Sequence, residues 1–331
     1  MIKIILLYIK KQMSNSSFRY GSDLGAGVYA VDTGFVRPQF DASYIVTQRA
    51  PSSERIAIID TGTNYSVPRI LATLSDLKCI PEQVDFIILT HVHLDHAGGA
   101  GKLMQACPHA KLVVHPRGAK HMIDPTQLRA GAVGVYGEEA VEKDYGTLIP
   151  IESSRVIEAS DGMMINLAGR ILTCLDTPGH AKHHITIWDQ MTHGAFTGDT
   201  FGLSYREFDT EKGAFIIPTT TPIHFDPNAL RVSLKRIMAL KPECIYPTHF
   251  SKVTGVPRLY QKLTDMLTKV ENLGNSLASA QHRHELLKNG LLNLYIQELR
   301  DHGCGLSDSK IDQLLRTDIE LNAQGMGVWL G

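Results

Sequence analysis

The 331-residue chain is long enough for one large domain with an appendage. Its 33 basic and 34 acidic side chains nearly cancel, which removes any global attraction to nucleic acid or anionic membrane. No apolar stretch approaches the length of a membrane-spanning helix. The five cysteines (Cys79, Cys107, Cys174, Cys244, Cys304) form no CxxC pair and suit small buried residues in a reducing, cytoplasmic compartment.

From the start of the chain, Ile2 to Ile9 is apolar and Lys10-Lys11 follow, the reverse of a signal peptide's charge order. Met13 before Ser14-Asn15-Ser16-Ser17 would be an ordinary polar start, so residues 1–12 read as an over-extended translation start or a short extra strand, with a signal peptide as the third reading. Residues 1–22 are taken as an N-terminal extension. Strands are then expected at Val28–Val31, Ser43–Val46 and Ile56–Ile59, from their β-branched and aromatic residues. Ser66-Val67-Pro68 opens a helix through Leu77, with a capping Ser and a Pro suited to the first turn. Phe86-Ile87-Ile88-Leu89-Thr90 has the length of a buried strand, and a helical stretch runs from Ala97 to Cys107. Lys111–Val114 is another strand.

Between Gly118 and Arg155 the periodicity is modest, with four glycines (Gly131, Gly134, Gly137, Gly146) and two tyrosines (Tyr136, Tyr145). That segment either closes over a site as a lid or forms surface helices away from substrate. Strands follow at Ile171–Leu175, His184–Trp188 and Gly194–Phe196, then a helix from Pro227 to Leu240 and a strand at Cys244–Tyr246. Beyond them, Leu259, Leu263, Met266, Leu267 and Val270 recur at helical spacing. Leu287, Leu291, Leu294 and Tyr295 make a second stripe, and Ile311, Leu314, Leu315 and Ile319 a third. This helical region either walls a pocket or pairs two subunits.

The chemistry concentrates in His91-Val92-His93-Leu94-Asp95-His96, directly after a predicted buried strand. In extended backbone His91 and His93 project to the same side, while Asp95 and His96 fall where the chain turns into the helix. Imidazole and carboxylate together suit zinc, iron or manganese.

HVHLDH is similar to the signature of the metallo-β-lactamase-fold hydrolases, and further segments stand in that family's order. Ile59-Asp60-Thr61-Gly62 resembles the Asp closing the preceding strand, and Asp176-Thr177-Pro178-Gly179-His180 the third ligand segment. Phe196-Thr197-Gly198-Asp199-Thr200 resembles the bridging carboxylate, and Tyr246-Pro247-Thr248-His249 the last histidine. The resemblance spans about Gly27 to Lys252. It implies an α+β fold, a four-layer αββα sandwich taken as 23–255, to which the helical spacing of the apolar residues adds a helical C-terminal appendage over 256–331. It also implies two divalent metal ions, zinc first, with iron or manganese as the alternatives. His91, His93 and His180 would take one ion, Asp95, His96 and His249 the other, and Asp199 would bridge them. Asp60 would fix a ligand histidine through its distal nitrogen, and Asp95 would also accept a hydrogen bond from a bridging hydroxide and aim it.

Other residues carry weaker expectations. Tyr205, six residues beyond Asp199, is the candidate electrophile for a bound carbonyl, in a loop where resembling lactonases also place a Tyr; the alternative is packing beside Phe201 and Phe208. His115, His121 and His224 are lesser pocket candidates, His183 carries little weight despite following His180 closely, His184 reads as a buried strand-end residue, and His282, His284 and His302 as solvated groups. Asp199 favours the glyoxalase II, lactonase and phosphodiesterase group, because true β-lactamases usually lack an Asp there. Only 49 residues separate Asp199 from His249, too few for the inserted domain of the nucleic-acid-processing branch. The expected function is a dinuclear metal-dependent hydrolase of a small ester, thioester or lactone. Its rivals are an iron-dependent oxygenase such as persulfide dioxygenase, and a non-catalytic di-iron oxygen-sensing protein. The expected partner is a small-molecule substrate, with a homodimer allowed and neither nucleic acid nor membrane involved.

Overall fold

Two β-sheets packed face to face organise the chain. The structure is a computed structural model that describes residues 18–51, 53–220 and 222–331. The apolar segment 2–9 and the alternative start at Met13 lie outside the described residues.

The first sheet holds β1 (Gly21–Gly25), β2 (Val28–Asp32), β3 (Ala42–Arg49), β4 (Glu54–Ile59), β5 (Val84–Ile88), β6 (Lys111–Val114) and β7 (Val156–Glu158), side by side in that order. The second runs β12 (Cys244–Pro247), β11 (Gly194–Gly198), β10 (Ile185–Asp189), β9 (Arg170–Asp176), β8 (Met164–Leu167). Strands β4 to β7 pair in parallel, as do β11 and β12. Parallel neighbours need crossovers, and these are helices. α1 (Val67–Asp76) links β4 to β5, α2 (Leu94–Ala97) and α3 (Ala100–Ala106) link β5 to β6, and α7 (Pro227–Ala239) lies between β11 and β12.

Burial on both faces explains the near-continuous apolar runs of these strands. In β4, Ile56 and Ile58 point outward to Ile70 and Leu74 of α1, while Ala57 and Ile59 point inward. The inward set meets Cys174, Ile185, Ile187 and Phe196 of the second sheet. On that sheet's outer side, Ala195 and Ile245 pack with Leu230, Leu234 and Ile237 of α7 and with Leu259 and Leu263 of α8 (Val256–Leu277). Each fully buried Leu, Ile or Phe stabilises the sandwich by roughly 1.5–3 kcal/mol. The αββα layering therefore follows from two alternating patterns, strand period two facing helix period 3.6.

The third apolar stripe becomes α10 (Asp308–Leu330), which packs with α8 and with α9 (Arg283–His302). Their shared cluster reaches the main body through Phe40, Tyr205, Phe208 and Phe215. The segment from Gly118 to Arg155 lies over α4 (Pro116–Ile123), α5 (Thr126–Tyr136) and α6 (Glu138–Tyr145). All five cysteines are buried and unpaired. No helix among the described residues is long and apolar enough to cross a membrane.

Some local expectations need correcting. β1 starts at Gly21, inside the segment taken as an extension. The short strands β7 and β8 carried no readable alternation. Ser66 precedes α1, but its hydroxyl makes no cap bond to the helix. It accepts instead from the Thr63 N–H at 3.1 Å, so Pro at the first turn is what makes a cap dispensable there.

Candidate metal centre

The C-terminal ends of β4, β5, β11 and β12 meet at one edge of the sandwich because each of the two pairs is parallel. Asp60 follows β4, the run from Thr90 to His96 follows β5, Asp199 follows β11, and Thr248-His249 follow β12. His180 arrives from the turn between β9 and β10. The close fit has a backbone requirement. Gly198 sits at φ +47, and a Cβ there would come 2.6 Å from the Thr90 hydroxyl, so only glycine lets β11 deliver Asp199 against β5.

All seven expected ligands converge. His91 Nε2 lies 2.8 Å from His93 Nδ1, which lies 3.2 Å from His180 Nε2. Asp95 Oδ2 is 3.6 Å from His96 Nε2 and 3.5 Å from His249 Nε2. Asp199 divides its oxygens between the groups: Oδ1 is 3.3 Å from His96 Nε2 and 3.6 Å from His249 Nε2, while Oδ2 is 3.4 Å from His180 Nε2. Three sets of donor atoms lie mutually within 4.8 Å: His91/His93/His180, His91/His96/Asp199 and Asp95/His96/His249. These clusters are capable of holding metal ions. The fit is chemical as well as geometric. His96 Nε2 and Asp199 Oδ1 are buried with no hydrogen-bond partner, and leaving such a group unsatisfied costs about 1–3 kcal/mol.

The distal nitrogens are fixed from behind. Asp60 accepts from the Thr90 N–H at 2.8 Å, the Thr248 hydroxyl at 2.9 Å and His96 Nδ1–H at 2.8 Å. The Thr90 hydroxyl gives its one proton to Asp60, so His91 Nδ1, 3.1 Å away, donates to it. His249 Nδ1 donates to the Phe40 carbonyl at 3.1 Å, and His180 Nδ1 meets the Thr219 hydroxyl. These bonds turn the other ring nitrogen of His91, His96, His180 and His249 toward the centre. Asp60 itself holds a left-handed backbone (φ 54), a conformation Asp tolerates better than most residues.

Protons divide unevenly over this site. Burial, with crowding by one another, pushes His91 and His180 well below 6.5 and His93 down to about 4. Burial works the same way on His96 and His249, but Asp95 and Asp199 outweigh it, raising His96 well above 6.5 and His249 to about 9. Burial would raise Asp95, yet His96 and His249 hold it down at about 2.

The model of the metallo-beta-lactamase superfamily matches residues 37–249, which contain all of these groups. The chain belongs to the metallo-beta-lactamase superfamily. The metallo-beta-lactamase fold-containing protein ST1585 of Sulfurisphaera tokodaii is 28% identical over 256 residues, 74% of this chain and 86% of that one. Its crystal structure superposes with a TM-score of 0.63 at 24% identity, covering 91% of this chain and 98% of that one. A hydroxyacylglutathione hydrolase of Aeromonas hydrophila is 29% identical over 64% of this chain and 63% of its own length. An acyl-coenzyme A thioesterase, MBLAC2 of Bos taurus, is 28% identical over 53% of this chain and 64% of its own length.

In this superfamily member the centre opens into a cavity of about 330 Å3. His93, Asp95, His180, Asp199 and His249 lie at one side of it. α5 supplies Leu128, Ala132, Val135 and Tyr136, and α10 supplies Thr317, Asp318, Leu321 and Asn322. The glycine-rich segment thus touches the site, and α10 of the C-terminal helices walls it. His121, His183 and His224 also line the cavity.

Tyr205 departs from expectation. It is not part of the cavity lining, and its hydroxyl is spent on the Asp318 carboxylate at 3.0 and 3.2 Å. Its ring stacks on Phe40 with centroids 5.4 Å apart and meets His249 edge-on at 6.3 Å. Phe208 shares its cluster, whereas Phe201 packs with the second sheet and α7. The spacing from Asp199 could not show that a helix more than a hundred residues later would claim the hydroxyl. His115 instead caps α4, accepting from the Arg117 N–H at 3.0 Å, and His184 is buried between Thr177 and Thr200. His302, expected in solvent, is buried with Nε2 2.9 Å from the Gly213 carbonyl. Asp318 and Asn322 were missed, although both continue the buried stripe begun by Ile311, Leu314 and Leu315; polar residues on that face were the available signal.

Proposed function

We propose that the protein is a dinuclear metal-dependent hydrolase of a small ester, thioester or lactone, with zinc as the first choice of metal. The observation that carries this reading is the division of Asp199, whose two oxygens face different ligand groups. A carboxylate shared in this way offsets the repulsion between two cations a few ångströms apart. His91, His93 and His180 would hold one ion and Asp95, His96 and His249 the other. Bound dications would polarise a carbonyl and make a shared water nucleophilic near neutral pH. The chain's own residues set the geometry. Asp95, at the cavity edge, can hold a proton-bearing nucleophile on its carboxylate, and Asp60 keeps His96 aimed. The apolar residues of α5, with Leu321 of α10, would keep water from the acyl group. The names of the hydroxyacylglutathione hydrolase and acyl-coenzyme A thioesterase relatives support acyl transfer to water as the reaction class.

A single-iron oxygenase would need only one ligand group, so the completeness of the second favours the dinuclear reading. Metal quantification followed by a panel of lactones, thioesters and phosphodiesters tests it. Two ions per chain with carbonyl-ester or thioester turnover is the expected result. One iron per chain with oxygen consumption, or two oxidisable irons with no hydrolysis, would overturn it.

A further inference from the structure

Three carboxylates line the cavity: Asp95, Asp199 and Asp318. The first two are committed to histidines, but Asp318 stands on α10 and is engaged differently. It is only 7% exposed, and the Tyr205 hydroxyl donates to it. A carboxylate offers about four lone-pair sites, so one donor leaves most of its accepting capacity unspent. Asn322, one turn further along α10, is the contrast. Its Oδ1 accepts from the Thr220 N–H at 2.7 Å, and its Nδ2 donates to the Tyr295 hydroxyl at 3.1 Å and the Pro218 carbonyl at 3.4 Å. Among the described residues, Asn322 is saturated by the fold and Asp318 is not.

No lysine or arginine is among the described residues lining the cavity. Arg37 stays behind Tyr205, its guanidinium 4.5 Å from the ring centroid and 2.6 Å from Glu207. The remaining lining from α5 and α10 near this position is largely apolar, including Val135 and Leu321. Burial pushes Asp318 up to about 6, against the opposing pull of His249, Tyr205 and Arg37 and with some help from Asp199. A buried carboxylate short of donors gains whenever a ligand brings one.

We propose that Asp318 is a specificity-determining residue, accepting a hydrogen bond from a neutral hydroxyl or amide N–H that the substrate carries near its scissile carbonyl. This rests on the hydrolase reading above. A neutral donor is favoured over an ammonium because Arg37 already supplies positive charge to this corner, and two dications beside the carbonyl would repel another cation. Tyr205 is the positioning residue, holding the carboxylate toward the cavity from a site packed against His249.

The test uses the full-length, metal-loaded protein and reads ratios. Phenyl esters and thioesters of butanoate are compared with their 2-, 3- and 4-hydroxy analogues, and N-acetylglycyl with glycyl. At least one donor-bearing substrate should be preferred by about tenfold to a hundredfold, chiefly through KM. In Asp318→Leu that ratio should shrink to within about threefold, with metal content and unfolding checked. Asp318→Asn keeps the shape but turns an N–H to the cavity, so preference should move to methoxy analogues, which only accept. Equal ratios in wild type and Asp318→Leu would overturn the proposal, as would a preference for the glycyl ammonium. Calorimetric titration with butanoate and its hydroxy analogues reads the same contact without turnover. If nothing is hydrolysed, the hydrolase reading fails alone: tighter hydroxybutanoate binding that disappears in Asp318→Leu still supports the contact, and equal affinities sink it.

Discussion

His91, His93 and His180 form a group of imidazoles with no carboxylate among them, whereas His96 and His249 share theirs with Asp95. Burial keeps the first group neutral, ready to donate lone pairs. In the second, the carboxylates hold protons on the imidazoles, so without a cation the group pairs with itself. One half keeps its imidazoles neutral, and the other is a salt-bridge network that a metal must take apart. The two halves should therefore differ in how metal affinity depends on acid and on supporting residues.

The largest effect should come from removing what joins them. Asp199→Ala withdraws the oxygen facing His96 and His249 together with the one facing His180. Metal analysis should show content well below wild type, and nearly all turnover should go. Wild-type metal content and activity in this variant would sink the bridging assignment.

Acid should separate the halves next. His96 and His249 must each lose a proton, one held well above 6.5 and the other up to about 9, so affinity at their group should fall with acid more steeply than the tenfold per pH unit that one proton gives, by well over a hundredfold from pH 7 to 5. The all-histidine group should stay flat until pH approaches 4, where His93 takes its proton. The sign reverses for the metal-free fold. His249 is raised above its ordinary 6.5, so its contribution to stability is whole below 6.5 and is lost as pH rises through about 9. Chelated protein should thus melt lower from pH 6.5 to 9 while loaded protein does not; parallel curves would refute the contrast.

Asp60 supports only one half directly, through His96 Nδ1. Asp60→Ala should weaken metal at the mixed group by ~10–100-fold and leave the all-histidine group closer to wild type. Stepwise titration with a chromophoric dication would show one affinity moving. Equal losses at both steps would mean that Asp60 acts on the edge as a whole, through Thr90 and Thr248.

How much of this was legible in the sequence follows from range. Most of the candidate ligands follow strands whose apolar runs are strong local signals, and the set was read from five motifs standing in one family's order. Asp60 was read from the resemblance, with a plain turn Asp before Thr61-Gly62 as the alternative, and the structure bonds its carboxylate to His96 Nδ1 at 2.8 Å. The helical wall was harder. α5 buries no residue fully, so its pattern lacks the clean stripe that marks a packed helix. β7 and β8 are three and four residues long, too short for alternation to declare itself. Tyr205 and Asp318 are 113 positions apart, and no local pattern reports so distant a bond. Asp318 was readable only as an oddity, a charge on a buried stripe.

The smallest expected effect tests whether the mixed group leans on that distant wall. Tyr205 meets His249 edge-on and binds Asp318, so it couples α10 to one half of the centre and not to the other. Tyr205→Phe keeps the ring and its stacking on Phe40 but leaves the buried Asp318 carboxylate without its donor. Stability should drop by about 1–3 kcal/mol, the usual cost of one orphaned buried acceptor, with metal content intact. The loss should be greater above pH 6 than below it, because Asp318, raised to about 6, takes up a proton in acid and then needs the donor less. Denaturant unfolding at two pH values would measure this. A pH-independent loss would mean that the tyrosine hydroxyl matters for packing alone. A loss of metal from the His249 group, with the all-histidine group full, would instead show that the hydroxyl's bond to Asp318 is what keeps the edge-on ring, and through it His249, in place.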